Sequence, residues 1–453
     1  MPEQTTINNY SKASLDQTRP EEQSMNGLLV QAPRQAILVG VASAEADWPI
    51  DDSLDELEQL ASTAGVICAD RVIQRLLHPH PATLLGTGKV EELASLVQFH
   101  NCDAVIFDTE LKPNQHRNLE RALEVQVLDR TALILIIFGQ RAHTREGRLQ
   151  VELAQIEYDL PRLTRQWSHL SRQRGSMQQR GEGEKQIEVD RRLLRRQKDQ
   201  LEAELALVRN QRQLHRERRR RSGVPVVSLV GYTNAGKSTL LNHLANAATL
   251  AENKLFATLD PTTRRVKLNG GQEILFSDTV GFIQRLPTTL VAAFRATLEE
   301  VTEADLLVHV IDASHPQMQR QIEAVETVLE EIGAGGLPMV IALNKSDLLP
   351  DSTYPSLAGI AGSLPGVLTS AQSGRGIDDL LRCISKALSA QFTALDVVIP
   401  YERGDLVALF HRLGSIESEE YCEEGTHLCG SLPALRSGAF TQFERTAPKI
   451  TRV

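Results

Sequence analysis

The chain has 453 residues, too many for a single hydrophobic core, so three or four domains are expected. Its five cysteines (Cys68, Cys102, Cys383, Cys422, Cys429) are scattered without CxxC pairs, which argues against a disulfide framework and fits a reducing cytosol. The longest apolar run, Ala132 to Phe138, falls far below the ~18 residues of a membrane span, and the net charge of −9 conceals a basic block from Arg141 to Arg221, with 21 Lys and Arg against 12 Asp and Glu.

Residues 1–33 are rich in Gln, Asn, Ser and Pro without periodicity and read as a disordered tail. From Ala36, strand and helix patterns alternate. Ile37 to Val41 is followed by a helix from about Asp52 stopped by Gly65, then by Val66 to Cys68 and a helix near Val90 to Val97. Ala104 to Phe107, a helix near Asn114 to Leu123, and Val125 to Leu128 complete a small N-terminal α/β domain over 34–145. Leu149, Leu153, Ile156, Leu160, Leu163, Trp167 and Leu170 then recur at alternating steps of four and three, the seam of a coiled-coil helix that Pro161 should kink. After the glycine-rich, charged stretch Arg174 to Glu184, Ile187, Leu194, Leu201 and Val208 recur every seven residues. Residues 146–222 therefore predict a basic antiparallel helical hairpin.

The hairpin ends in Arg216 to Arg221, directly before the strand Val224 to Val230. Residues 223–391 read as a further α/β domain, with buried-strand runs at Ile274 to Phe276, Leu306 to Ile311 and Met339 to Leu343 that predict a doubly wound parallel sheet. The remainder, 392–453, has a strand at Val397 to Pro400, a helix near Gly404 to Leu413 and a polar stretch, and predicts a small α+β domain. The fold class is multidomain α/β.

Five short segments, in this order, carry the chemistry. The first is Gly231, Tyr232, Thr233, Asn234, Ala235, Gly236, Lys237, Ser238 and Thr239, between a strand and a helix. Gly231 and Gly236 let backbone amides turn toward phosphate, the helix start adds partial positive charge, and Lys237 reaches the outer phosphates. Ser238 offers a hydroxyl to Mg²⁺, and Asp278 fits the carboxylate that holds the same ion through water. The second segment is Phe256, Ala257, Thr258, Leu259 and Asp260. Spacing leaves Thr258, Thr262 and Thr263 open as the threonine that closes on the metal.

In the third, Asp278, Thr279, Val280 and Gly281, the glycine leaves an amide close to the γ-phosphate. The fourth, Asn344, Lys345, Ser346 and Asp347, selects guanine, because a carboxylate accepts both the N1–H and N2-amino donors that adenine lacks as a pair. Asn344 would brace the loop and meet the base's other edge, and Lys345 would lie along the ring face. Ser370, Ala371 and Gln372 follow at the next strand's end and act largely through backbone amides. In Ras-like enzymes the residue after Gly281 is often a water-orienting glutamine. Here it is Phe282, so slow intrinsic turnover and a stimulating partner are expected, with Gln284 as a nearby substitute.

These motifs, with Phe256 to Arg264 and Asp278 to Ile283, resemble the HflX family of ribosome-associated GTPases. The resemblance extends through Leu128 to Thr131, Arg141 to Gln155, Leu160 to Thr164 and His169 to Gln173, and runs from about Ala36 to the C-terminus. It implies a GTPase, converting GTP to GDP and phosphate and stimulated by ribosomes. The implied partner is the large (50S) ribosomal subunit and its rRNA, with stalled ribosomes split or rescued under stress, or a role in ribosome biogenesis. It also implies that Thr258 is the switch threonine binding Mg²⁺, so that Lys237, Thr258 and Gly281 form the catalytic set. Asn234 matches the P-loop asparagine that potassium-activated relatives use to hold K⁺. Met177 to Lys185 departs from the family's Thr-Arg-Gly-Pro-Gly-Glu-Thr-like loop, and Gln372 stands where many GTPases have Lys.

An isolated charge run reads as a solvated coiled coil. The resemblance turns that reading around and makes Arg172, Arg174, Arg180, Arg218, Arg219, Arg220 and Arg221 the expected rRNA phosphate contacts, with steep salt dependence. Leu85 to Lys89 is a glycine turn before a helix but lacks full P-loop spacing, and reads as a plain helix start or a ribosome contact. His78 and His80, and Cys422, His427 and Cys429, are too few and irregular for structural zinc and read as ordinary residues. A cytoplasmic monomer on ribosomes is expected, without membrane insertion and at most peripheral at membranes. The alternatives are an ATP- or GTP-dependent RNA-remodelling enzyme and a nucleotide-gated assembly scaffold.

Overall fold

A computed structural model describes residues 32–42, 48–163, 182–222, 224–245, 255–268, 273–284, 298, 300–349, 364–389, 392–433 and 437–444, with side chains of the helix that begins at Glu182 described from 188 to 212. In the N-terminal sheet, β1 (Gln35–Ala42), β2 (Ile67–Arg75), β3 (Ala104–Phe107) and β4 (Gln126–Asp129) run parallel in the order β2-β1-β3-β4. The crossovers are α1 (Ile50–Thr63), α2 (Thr87–His100) and α3 (Pro113–Leu123). Gly65, at φ 83°, follows α1 as expected of a helix stop.

The apolar run at 132–138 belongs to α4 (Arg130–Arg141), whose first turn is capped by Asp129 accepting from the Ala132 amide. Every residue from Arg130 to Phe138 is buried. The apolar cluster around α4 takes in Leu128 of the sheet as well as Phe256, Leu259 and Phe282 of the nucleotide domain. Phe138 meets Phe256 edge-on at 4.7 Å between ring centres, worth about 0.5–1.5 kcal/mol beyond the area buried.

Helix α5 (Arg145–Asp159) and helix α6 (Glu182–Ser222) are antiparallel, since Arg145 meets Glu204 at 3.2 Å while Glu157 meets Lys198 at 2.8 Å. Leu149, Leu153 and Ile156 pack on Leu201 and Leu205, flanked by Leu160, Leu194 and Val208. On its other face α5 sends Val151, Ala154 and Tyr158 into the α4 cluster. The regular helix closes at Asp159, two residues before Pro161, which has no N–H to give, and the continuation that Pro161 was expected to kink lies outside the described residues. Trp167, Leu170, Arg172, Arg174 and Arg180 lie outside the described residues, as do the side chains of Ile187 and Arg218 to Arg221.

The nucleotide domain is built on β5 (Val226–Val230), β6 (Thr262–Lys267), β7 (Glu273–Asp278), β8 (Leu306–Asp312), β9 (Met339–Asn344) and β10 (Gly366–Leu368), in the order β10-β9-β8-β5-β7-β6. Helices α7 (Lys237–Leu244), α8 (Met318–Glu331) and α9 (Ile377–Ser389) complete it. Five strands are parallel, and the edge strand β6 is antiparallel to β7, so the sheet is mixed rather than wholly parallel. As an edge strand, β6 needs one buried side chain, Val266, and its Thr-Thr-Arg-Arg text carries no apolar run to announce it.

The last unit folds β11 (Phe392–Ile399), α10 (Gly404–Leu413), β12 (Ser415–Cys422) and β13 (Gly425–Pro433) into an antiparallel sheet, order β11-β13-β12. Helix α10 covers one face, with Phe410 and Leu413 packed on Val397, Leu428 and Leu432. The polar stretch after Leu413 is thus a hairpin whose turn reaches Gly425 at φ 147°.

Candidate nucleotide site

Strand β5 is flanked by β7 and β8, and its end delivers the chain to the glycine loop. Gly231 and Gly236 have φ of 149° and 97°, where a side chain is strained, and a Cβ on Gly236 would collide with the Asn344 amide nitrogen. Lys237 is buried, and its Nζ donates to the carbonyls of Gly231 and Tyr232 at 3.0 and 2.8 Å. Burial pulls this ammonium down to about 8, against the opposing charge of Asp278. It is held over the loop at the back of an open cleft lined by Thr233, Asn234, Ser238, Thr258, Thr279 and Gly281 among others.

Three oxygens meet beside it. Ser238 Oγ and Thr258 Oγ1 both donate to Asp278 Oδ2, at 2.6 and 2.7 Å. Asp278 is buried, its other oxygen Oδ1 has no protein partner, and burial raises its pKa despite Lys237 and the two hydroxyls. Of the three threonines left open by spacing, Thr258 is the one brought to Ser238 and Asp278, whereas Thr262 and Thr263 lie in β6. Gly281 sits so close that a Cβ would stand 2.9 Å from Thr233 Cα and 3.0 Å from Lys237 Nζ.

Asn344 is buried and uses both ends of its amide: Nδ2 donates to the Ala235 carbonyl and Oδ1 accepts from the Ala371 amide, each at 2.9 Å. It therefore ties the first, fourth and fifth segments together. Lys345, at φ 60°, donates to Asp312 Oδ2 at 2.7 Å, and Asp347 is exposed. Ser370 is buried and Gln372 exposed.

The same segments reach the rest of the molecule. Phe256 has φ 53°, an unusual conformation for an aromatic residue, with its ring buried against Phe138. Asp260 accepts from the His143 and Thr144 amides at 2.9 Å and from the Thr144 hydroxyl, and Thr144 in turn caps α5 at Gly147. Gly147 leaves the room, since a Cβ there would press on Asp260. Phe282 is buried in the α4 cluster, while its backbone pairs with Gly231 and Thr233.

Gln284 is buried too, and its side-chain amide donates to Ser53 Oγ of α1 at 3.0 Å, so it faces the N-terminal domain. Ser53 donates to Asp108, Asp108 meets Arg130 at 2.8 Å, and Arg130 meets Glu56, which accepts from the Tyr232 phenol. The phenol accepts from the Gln284 amide at 2.8 Å and closes the ring of contacts. Sequence reasoning reached Tyr232 and Asp260 only as nucleotide contacts and missed Ser53, Glu56 and Asp108. The resemblance at Leu128 to Thr131 is the one trace of this network in the text, for Asp129 caps α4 and also accepts from Tyr158 and Arg162.

Leu85 to Lys89 forms a plain helix start: Gly86 precedes α2 at φ −67°, and Lys89 pairs with Glu92. Among the described residues no helix is long and apolar enough to cross a membrane.

Fold and site together define a P-loop GTPase, with a phosphate loop, a cluster of hydroxyl and carboxylate oxygens and the loop from Asn344 gathered where the chain leaves one end of the sheet's strands. Three family models match the chain: GTP-binding GTPase N-terminal at 51–139, GTP-binding GTPase Middle Region at 141–219, and 50S ribosome-binding GTPase at 226–345. The chain is 46% identical over 396 residues to GTPase HflX of Escherichia coli (strain K12), covering 87% of this chain and 92% of that one. It is 43% identical over 410 residues to GTPase HflX of Lacrimispora saccharolytica, covering 90% and 95%. The chain belongs to the HflX family of GTPases, and it binds and hydrolyses GTP.

Proposed function

We propose that this protein is a GTP-operated switch on the large (50S) ribosomal subunit, splitting or rescuing stalled ribosomes or acting in their assembly. One observation carries the reading: the segments that would sense the γ-phosphate are those that hold the N-terminal domain and the hairpin. Phe256 packs on α4, Asp260 holds Thr144, the cap of α5, and Gln284 bonds α1. The matched family description of the nucleotide domain, 50S ribosome-binding GTPase, supports the partner. The basic surplus of the hairpin supports rRNA phosphate as what it touches, through Arg172, Arg174, Arg180 and Arg218 to Arg221.

The oxygen donor set fits Mg²⁺, a hard cation, with the orphan Asp278 Oδ1 free to hold its water. Ser238 and Thr258 would bind the ion directly and Asp278 through water. When bound, the ion offsets charge on the β- and γ-phosphate oxygens. Lys237, already desolvated, gives its ammonium to the same oxygens, and the Gly281 amide faces the γ-phosphate. Asp347 accepts from the guanine edge, with Lys345 along the ring.

Phe282 is buried and Gln284 engaged with Ser53, so neither side chain orients the attacking water. Turnover is therefore slow until the ribosome completes the site. Asn234, exposed beside the phosphate loop at φ 60°, is the residue to hold K⁺. Equal ribosome-stimulated hydrolysis in Na⁺ and K⁺ would remove that role. The protein acts in the cytoplasm as a monomer. Cosedimentation with 50S subunits tests the main reading: retention should be stronger with a non-hydrolysable GTP analogue than with GDP and fall steeply with salt. Equal retention in both nucleotides overturns the switch.

A further inference from the structure

The C-terminal sheet carries a set of metal-ligating side chains that GTP chemistry does not use. His427 and Cys429 are two residues apart on β13 and share one face, and Asp396 on β11 is the register partner of Cys429. The opposite face, with Leu395, Val397 and Leu428, is buried against α10, so the three polar side chains lie on the outer side. Asp396 Oδ1 lies 2.6 Å from His427 Nε2, and Cys429 Sγ lies 3.4 Å from the same nitrogen. All three donor atoms fall within 4.8 Å of one another.

Convergence on one nitrogen separates two chemistries. A thiol, imidazole and carboxylate that relay a proton need the thiol on one ring nitrogen and the carboxylate on the other. Here both address Nε2, so the set is no relay. Three different donors turned to one point instead match the demand of a metal ion. Ligands of a tetrahedral Zn²⁺, bound at about 2.0–2.3 Å, stand about 3.5 Å apart, so the sulfur-to-nitrogen spacing already suits it. The exposed Asp396 carboxylate has to withdraw from Nε2 by less than about 1 Å to take its place.

We propose that Asp396, His427 and Cys429 bind a borderline-soft divalent transition metal ion, Zn²⁺ first, leaving a fourth position to water or to Glu420. Glu420 is exposed and is the register partner of His427 on β12. The thiolate, imidazole and carboxylate together are the mixed S, N, O set that Zn²⁺ accepts and that Mg²⁺ does not. On binding, Cys429 loses its thiol proton to solvent, His427 gives the Nε2 lone pair of its neutral ring, and Asp396 gives a carboxylate oxygen. The two anionic ligands offset the divalent charge, so the site is neutral with water in the fourth position and carries one negative charge with Glu420 there. It also clips β11 to β13. The cysteines and His427 alone look irregular in the sequence because Asp396, 31 residues upstream, joins them only through strand register.

The test uses the full, tag-free chain stripped with a chelator and titrated with Co²⁺ as a spectroscopic probe, followed by Zn²⁺ competition. One Co²⁺ per chain should bind with a thiolate-to-metal charge-transfer band, and Zn²⁺ should displace it. Cys422→Ser should keep the band and Cys429→Ser should lose it. Asp396→Asn and His427→Gln should weaken Zn²⁺ by at least the roughly 10–100-fold that loss of an outer-shell partner costs. GTP binding by each variant in Mg²⁺ reports that it is folded. A wild-type chain without the band, or a band that persists in Cys429→Ser, overturns the proposal.

Discussion

Lys89 and Lys237 each stand in the first turn of a helix after a glycine-bearing loop, in two α/β units of the same chain, yet they face opposite ways. Lys89 points to its own helix, with its ammonium 2.8 Å from Glu92, and the preceding Gly86 sits at an ordinary φ of −67°. A Cβ on Gly88 would meet nothing within 4 Å, so neither conformation nor space there requires a glycine. Lys237 is folded back over a loop whose Gly231 and Gly236 are strained for any other residue, and its ammonium is buried. Left-handed backbone and a desolvated cation make a phosphate cradle; glycines and a lysine near a helix start do not.

Lys237→Ala should lower GTP hydrolysis by about 1,000-fold in single-turnover assays, while Lys89→Ala stays within about twofold. A comparable loss from Lys89→Ala would mean the N-terminal turn also handles nucleotide. Gly236→Ala should weaken GDP by more than about tenfold in calorimetry, since a left-handed alanine costs about 1–2 kcal/mol before the displacement of Asn344 is counted. Gly88→Ala, by contrast, should raise chain stability by up to about 1 kcal/mol, read as a higher Tm.

With Asp347 as the proposed acceptor of the guanine edge, Asp347→Asn should cost GTP about 10- to 100-fold, the size of 1.5–3 kcal/mol, with ATP unchanged in competition binding. Tyr232→Phe leaves the phosphate loop intact but strips the hydroxyl between Glu56 and Gln284, and denaturant unfolding should show a loss of about 1–3 kcal/mol.

The smallest effect concerns protons. Burial lowers Lys237 from 10.5 to about 8, so between those values the unfolded chain holds more protons than the folded one. This group's penalty on the nucleotide-free fold is present below about pH 8 and is relieved as pH rises toward 10.5. A phosphate beside Lys237 restores the charge, so GDP binding near pH 8–9 should take up a fraction of a proton, measured as a buffer-dependent heat. Lys237→Met should abolish that dependence.

The convergence of the five segments is legible because each is local: the residues that line the cleft or tie its loops come in short runs, and backbone geometry does the rest. The same holds for the hairpin, where the leucine spacing from 149 to 160 is the packing itself. What escapes is whatever depends on pairing across distance. Strands β6 and β12 are polar because both lie at sheet edges, and none of the described side chains of β12 is buried, so neither carries an apolar signature. Residue 260 reads as part of the nucleotide segment, and no pattern in the text announces that its carboxylate reaches His143 and Thr144, 117 and 116 positions upstream.

Asp260 lies two residues from Thr258 and holds Thr144, the cap of α5, so under the proposed switch a threonine released from a metal ion would pull on the hairpin's root. Losing such an anchor costs a helix about 1 kcal/mol, comparable to the coupling energies by which distant sites influence one another. Helix α6, braced against α5, is 41 residues and so about 60 Å long. On the proposed reading, a carboxylate at the switch would set the stiffness of a long lever arm, and the presence or absence of one phosphate would be felt as slack at its far end.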